Sequence, residues 1–114
     1  MSAEASIDHD SWVRMRAEVQ AFHDKHRFRE KGGEELVYRV ALMTEELGEI
    51  SAAVTKGKGT DALAEECADL LILLMGTAIS ADFDLKSAFW TKMDELMDRS
   101  ARMVDGRIRV SRFE

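Results

Sequence analysis

The chain has no proline. Nothing therefore kinks a helix or removes a backbone donor from its interior, and turns must fall to Gly, Asp, Ser and Thr. It has a single cysteine, Cys67, so no disulfide can form within the chain. One thiol fits a reducing cytosol, and a cytoplasmic location is the expectation. Long hydrophobic runs are missing as well: the most apolar stretch, residues 70–79, is too short to span a bilayer, so no membrane partner is expected. The start of the chain carries Glu4, Asp8 and Asp10 where a secretory signal would carry Lys or Arg. Positive charge is in deficit, with 16 basic against 22 acidic residues and a net charge of −6. That argues against a generic nucleic-acid surface, and no nucleic-acid partner is expected.

What is present favours helix. Ala, Leu, Met, Glu and Lys recur, all good helix formers. The 114 residues, 46% of them hydrophobic, suit one compact domain spanning 1–114, with 1–6 frayed and 106–114 a basic tail. A domain of this size leaves much apolar surface wet, which favours self-association. The first helix is expected to start near Asp10 or Ser11, either of which can cap it, with the apolar stripe Trp12, Met15, Val19, Phe22. Lys31-Gly32-Gly33 breaks it. A second helix spans about residues 34–56, its core stripe Leu36, Val40, Met43, Leu47, Ile50, Val54. After Gly57-Lys58-Gly59, Thr60 or Asp61 caps a third helix whose second half is apolar nearly all round. A fourth runs over about residues 85–104 behind the turn Asp82-Phe83-Asp84. The alternation after Gly106 fits a short strand, an arm laid on a neighbour, or a loose basic tail. Short loops between successive helices predict an all-α fold, an antiparallel four-helix bundle.

The net acidity is local. Glu45, Glu46, Glu49 and Glu65, Glu66, Asp69 together supply six carboxylates, equal to the whole excess. No Lys or Arg occurs between Val40 and Thr55, or between Thr60 and Phe83. On the second helix Glu46 and Glu49 share a stripe with Leu42 and Ala53, while Glu45 points elsewhere; on the third, Glu66 and Asp69 continue a stripe through Leu70 and Leu73. Carboxylates among apolar neighbours resist desolvation and require something cationic before them. Folding the hairpin about Lys58 brings all four to one level: Glu49 and Glu46 lie 9 and 12 residues before it, Glu66 and Asp69 lie 8 and 11 after it. Either pair alone reads as a solvated helix face; both pairs, matched in depth, read as a hard-cation site for Mg²⁺ or Mn²⁺.

Glu45-Glu46-Leu47-Gly48-Glu49 followed by Glu66-Cys67-Ala68-Asp69 resembles the EExxE…ExxD signature of the MazG-like all-α NTP pyrophosphohydrolases, over about residues 22–102. The resemblance implies Mg²⁺-dependent hydrolysis of a nucleoside triphosphate to monophosphate and pyrophosphate, a house-cleaning role in the nucleotide pool, and a homodimer or homotetramer. It implies Glu46, Glu49, Glu66 and Asp69 as metal ligands, with Glu45 the motif's remaining acid. Relatives often carry Lys, Asn and Arg on the last helix; here Lys92 and Arg102 are the candidates and Leu96 stands near the place of the Asn.

On that basis a water attacks phosphorus while Glu46 or Glu49 takes its proton, and Lys92 and Arg102 hold the departing pyrophosphate. Trp12, Phe22 and His26 are candidates for the base pocket, though such a stripe is more often core. His23 and His26 stand one turn apart without a third nitrogen or sulfur ligand nearby, which argues against zinc. The competing functions are a pyrophosphohydrolase of the same fold acting on phosphoribosyl-ATP, and a non-catalytic helical interaction module.

Overall fold

The computed structural model describes residues 11–111, which form α1 (Trp12–Lys25), α2 (Leu36–Thr55), α3 (Thr60–Ala81), α4 (Leu85–Asp98), β1 (Ala101–Val104) and β2 (Arg107–Val110). Of the described residues, 11–83 make one compact unit and 84–111 another. No described helix is long and apolar enough to cross a membrane.

In the first unit, Ser11 caps α1: its Oγ accepts the Arg14 backbone N–H at 3.1 Å. Asp10, the other expected cap, lies outside the described residues. Arg27 turns the chain in the left-handed region, φ 54°, and the loop closes where the Gly33 N–H donates to the Phe28 carbonyl at 2.8 Å. A Cβ on Gly33 would stand 2.8 Å from the Phe28 ring, so only glycine permits this approach. Neither Thr60 nor Asp61 caps α3. Gly59 takes that place at φ 93°, and Asp61 sits in the first turn, where a carboxylate meets the positive end of the helix dipole. Asp82 ends α3 in the left-handed conformation, with the Phe83 N–H returning to the Ala78 carbonyl at 3.0 Å.

α2 packs most extensively on α3, and α1 also lies on α3. The pair α2–α3 is antiparallel, because Arg39 meets Leu73 and Thr77 while Glu46, further along α2, meets Glu66 and Asp69, earlier on α3. The side of α2 that faces α3 corrects the expected core stripe. Val40, Leu47 and Val54 are about 60% exposed and Leu36 is half exposed, whereas Arg39 and Ala53 are buried. Met43 and Ile50 of the expected stripe are half-buried, as Leu42 and Glu46 are, so the packed face runs through Leu42, Glu46 and Ala53 and takes in only these two members of the expected stripe. On α3, Met75, Gly76 and Ala78 are buried, but Leu71, Ile72 and Leu74 are not.

Arg39, 1% exposed, is the largest fully buried side chain among the described residues. Its Nε donates to Thr77 Oγ1 at 3.0 Å, Nη1 to the Gly33 carbonyl at 3.1 Å and Nη2 to the Leu73 carbonyl at 3.0 Å. Burial pulls its pKa down, and the Glu34 carboxylate opposes that. His23, also buried, places Nδ1 3.2 Å from Glu34 Oε1. Gly76 leaves the space for this arrangement: a Cβ there would collide with Arg39 Nη2 and stand 2.5 Å from His23 Nε2.

In the second unit, Asp84 caps α4, accepting the Ser87 N–H at 3.0 Å and the Ser87 hydroxyl at 2.9 Å. These bonds hold its carboxyl below the usual aspartate range. The helix expected to continue to residue 104 stops at Asp98. Arg99 is extended, and residues 101–104 pair antiparallel with 107–110, so of the readings of the alternation after Gly106 the strand holds for 107–110; residues 112–114 of the expected tail lie outside the described residues. Asp105 at φ 50° and Gly106 at φ 80° make the two-residue turn with both central φ angles positive that a hairpin favours. The register sets Arg102 opposite Arg109 and Met103 opposite Ile108. One face of the ribbon therefore carries Arg102, Arg107 and Arg109, the other Ala101, Met103, Ile108 and Val110. The fold is mostly helical, with this small sheet added.

Candidate metal centre

The spacing of Glu66 and Asp69 puts both on one face of α3, and Glu46 projects from α2 toward them. Carboxylate oxygens of Glu46, Glu66 and Asp69 all lie within 4.8 Å of one another. Glu46 and Glu66 are half-buried and Asp69 is exposed. Among the described residues, no Lys, Arg or His forms an ion pair with any of the three.

The consequence is electrostatic. Burial first, then a hydrogen bond with Glu66, then the negative charge of Asp69, Glu66 and Glu49, holds the Glu46 carboxyl above the usual glutamate range. Glu46 Oε2 is also a buried acceptor with no hydrogen-bond partner. A buried oxygen without a donor, inside a cluster of acids without a counter-charge, is what a cation site looks like when only the protein is considered. The donors are all carboxylate oxygens, which suits a hard divalent ion such as Mg²⁺ or Mn²⁺.

Glu49 stands apart from the tight group. It is exposed, and its charge reaches Glu46 while its oxygens lie outside the cluster of three. The four carboxylates expected at one level are thus three drawn together and one at the margin.

Beside the cluster opens a cavity of about 680 Å³ walled by α1, α2 and α3. Glu45, Glu46 and Asp69 line it together with Phe22, Met15, Leu42 and Leu73. Glu45, placed away from the acids by its helical angle, shares the cavity wall with them. Arg14 also lines this wall, 3.0 Å from Glu18, and is a cavity residue that the sequence did not single out. Its only signal was its place one turn before Glu18 on the first helix, which reads as an ordinary surface pair.

Of the expected base-pocket residues, Phe22 lines the cavity and Trp12 and His26 do not. Trp12 is half-buried at the start of α1. His26 is exposed and packs edge-on against Phe22, ring centroids 5.0 Å apart. His23 is committed to Glu34, and the only acid, His or Cys group among the described residues gathered closely enough for a metal is the carboxylate trio. Lys92 and Arg102 belong to the second unit. Lys92, exposed on α4, donates to Glu95 at 3.1 Å, and Arg102 lies on β1.

The family model described as MazG nucleotide pyrophosphohydrolase domain matches residues 37–104. The matched span runs from the start of α2 to the end of β1 and includes both acidic blocks. No curated protein and no solved structure matches the chain.

Proposed function

The chain belongs to the MazG nucleotide pyrophosphohydrolase family, and from that premise we propose that it hydrolyses nucleoside triphosphates to monophosphate and pyrophosphate with Mg²⁺, for which Mn²⁺ can substitute. The observation that carries this reading is the buried, unpartnered Glu46 Oε2 set among Glu66 and Asp69 at the edge of a cavity large enough for a nucleotide.

Glu46, Glu66 and Asp69 hold the ion, with Glu49 joining from the margin. Bound there, Mg²⁺ supplies neutralisation of phosphate charge and activation of water. The chain's own residues do the rest. The apolar wall with Phe22 receives the base and excludes water. A water adds to a phosphorus, the bond to the pyrophosphate oxygen breaks, and the proton passes to Glu46 or Glu49. Lys92 and Arg102 are the cations proposed to neutralise the departing pyrophosphate. The exposed apolar stripe of α2 supports assembly as a homodimer or homotetramer, and the role is house-cleaning of the nucleotide pool in the cytoplasm.

The decisive experiment is release of pyrophosphate from a panel of nucleoside triphosphates and phosphoribosyl-ATP, with Mg²⁺ and with chelator. Metal-dependent release from a triphosphate supports the reading. Preference for phosphoribosyl-ATP moves the activity to histidine synthesis, and no release from any compound leaves a binding module.

A further inference from the structure

Arg39 takes no part in the carboxylate chemistry, yet it is buried more completely than any residue that does. Its three donors reach three separate places: the Gly33 carbonyl in the α1–α2 loop, the Leu73 carbonyl on α3 and the Thr77 hydroxyl on α3. Thr77 Oγ1 in turn donates to the Leu73 carbonyl at 2.7 Å, so the acceptors are themselves tied together. A guanidinium's fixed fork makes such a contact directional in a way that an apolar contact is not.

The spacing along the two helices connects this contact to the acids. Arg39 precedes Glu46 by seven residues, two turns of α2, so both project from the same face. On α3, Leu73 follows Glu66 by seven residues and Thr77 follows Asp69 by eight. In an antiparallel pair these matched intervals mean that one sliding position seats both contacts. The position that puts Arg39 on Leu73 and Thr77 also puts Glu46 beside Glu66 and Asp69.

Among the described residues, the side-chain hydrogen bonds that join α2 to α3 are these from Arg39 and the one between Glu46 and Glu66. Of the buried residues of the two helices, Ala53, Gly76 and Ala78 are small and present little relief for ridges to engage, and Met75 is the one large apolar side chain. The acids themselves repel. A slip of one turn displaces facing groups by about 5.4 Å, more than the 4.8 Å within which the three carboxylates gather.

We propose that Arg39 is a positioning residue that fixes the sliding register of α2 against α3 and so holds Glu46 close enough to Glu66 and Asp69 for one divalent cation to bind all three. The slot is shaped for arginine: Gly76 gives it room, and the His23–Glu34 pair walls it on the α1 side. The inference rests on the carboxylates binding a cation, and its test separates the two.

Mn²⁺ affinity is measured by the loss of the free-ion electron paramagnetic resonance signal, with helicity followed by circular dichroism. The proteins are the wild type, Glu66→Gln, Arg39→Met, Thr77→Val and Ser11→Ala. Arg39→Met is expected to weaken Mn²⁺ binding by about tenfold or more, the scale of lost supporting contacts around a metal. Thr77→Val, which removes the Nε acceptor at little change of volume, weakens it less but measurably. Ser11→Ala lowers stability through the α1 cap and leaves Mn²⁺ affinity unchanged. Equal affinity in the Arg39 and Thr77 variants, with wild-type binding abolished by Glu66→Gln, overturns the register role alone. So does an equal weakening by Ser11→Ala, which makes the effect one of general stability. Wild type that binds no Mn²⁺ overturns both the metal reading and this one. If Arg39→Met loses its helicity, Thr77→Val decides.

Discussion

Glu46 on α2 and Glu66 on α3 face each other carboxyl to carboxyl across the helix interface, and Asp69 stands beside them in place of a counter-ion. Burial, the hydrogen bond to Glu66 and the surrounding negative charge favour the protonated form of Glu46. A cation bound beside them would offset the same negative charge.

The first consequence is for substitution. Asp69→Asn and Glu66→Gln should lower metal-dependent turnover by about a hundredfold or more, the scale on which removal of a single charge-stabilising group acts, with helicity unchanged by circular dichroism. Glu49→Gln should also be severe if the marginal carboxylate joins the ion. Glu65→Gln is the control, since Glu65 is exposed and lies about 100° around α3 from Glu66. Full activity in Asp69→Asn would remove the carboxylate centre.

The pH dependence of stability follows from Glu46. Its folded-state pKa is raised, so the fold holds this proton more tightly than the unfolded chain does. That contribution is fully present below the ordinary glutamate value of 4.5 and is lost as pH rises through the raised value. Without metal, the thermal midpoint should therefore fall over that window, and Glu46→Gln should flatten the fall. With Mg²⁺ at a hundred times its dissociation constant, linkage predicts a gain of about 2.7 kcal/mol at neutral pH. Glu46→Gln should lose that gain while being the more stable protein in chelator. Parallel midpoint-versus-pH curves for the two proteins would contradict the shift.

Gly76→Ala offers a test by steric conflict. Alanine is the better helix former by about 1 kcal/mol, and by propensity alone the change stabilises. Its Cβ, however, meets Arg39 and His23. Urea unfolding should show net destabilisation of about 1–3 kcal/mol, the usual range for overpacking. A stabilised protein would contradict a tight guanidinium slot.

Assembly can be tested on the open face of α2. Val37 is 86% exposed, and Val40, Leu47 and Val54 extend the same apolar surface. Light scattering at micromolar concentration should give a dimer or tetramer, and Leu47→Lys should shift it toward monomer without loss of helicity. A wild type that is monomeric throughout would contradict self-association through this face.

The products form the last test. Chromatography of dCTP, dUTP and dATP digests should show monophosphate and pyrophosphate from the first time point. A nucleoside diphosphate appearing first would sink the assignment of the bond cleaved, even with the metal centre intact.

Helix positions were legible in the sequence because glycines and left-handed turn residues punctuate a chain with no other breaks. The nearness of Glu46, Glu66 and Asp69 was legible by counting outward from Lys58, which uses only the rise of two antiparallel helices, but the count did not separate Glu49 from them. Which face of α2 is core was not legible. Periodicity finds apolar stripes but cannot say whether this chain covers them, and the better stripe, through Val40 and Leu47, is the open one. Arg39 gave no signal, since a single arginine on a helix reads as solvated. The hairpin was half legible. The alternation after Gly106 was visible, but Met103 and Val104 extended the helical pattern, and the turn-forming Asp105-Gly106 pair was the stronger signal.

The packing around Gly76 also constrains how this sequence can change over time. Arg39, His23 and Gly76 occupy one volume, so none can vary freely while the others stay. A side chain at position 76 becomes tolerable only after position 39 has shrunk, and a smaller residue at 39 takes from the Gly33 carbonyl its arginine donor. Descendants of this chain should therefore exchange these positions as a set. In a collection of related sequences, a Cβ at 76 should go with the absence of arginine at 39, whatever has become of the acids two turns away.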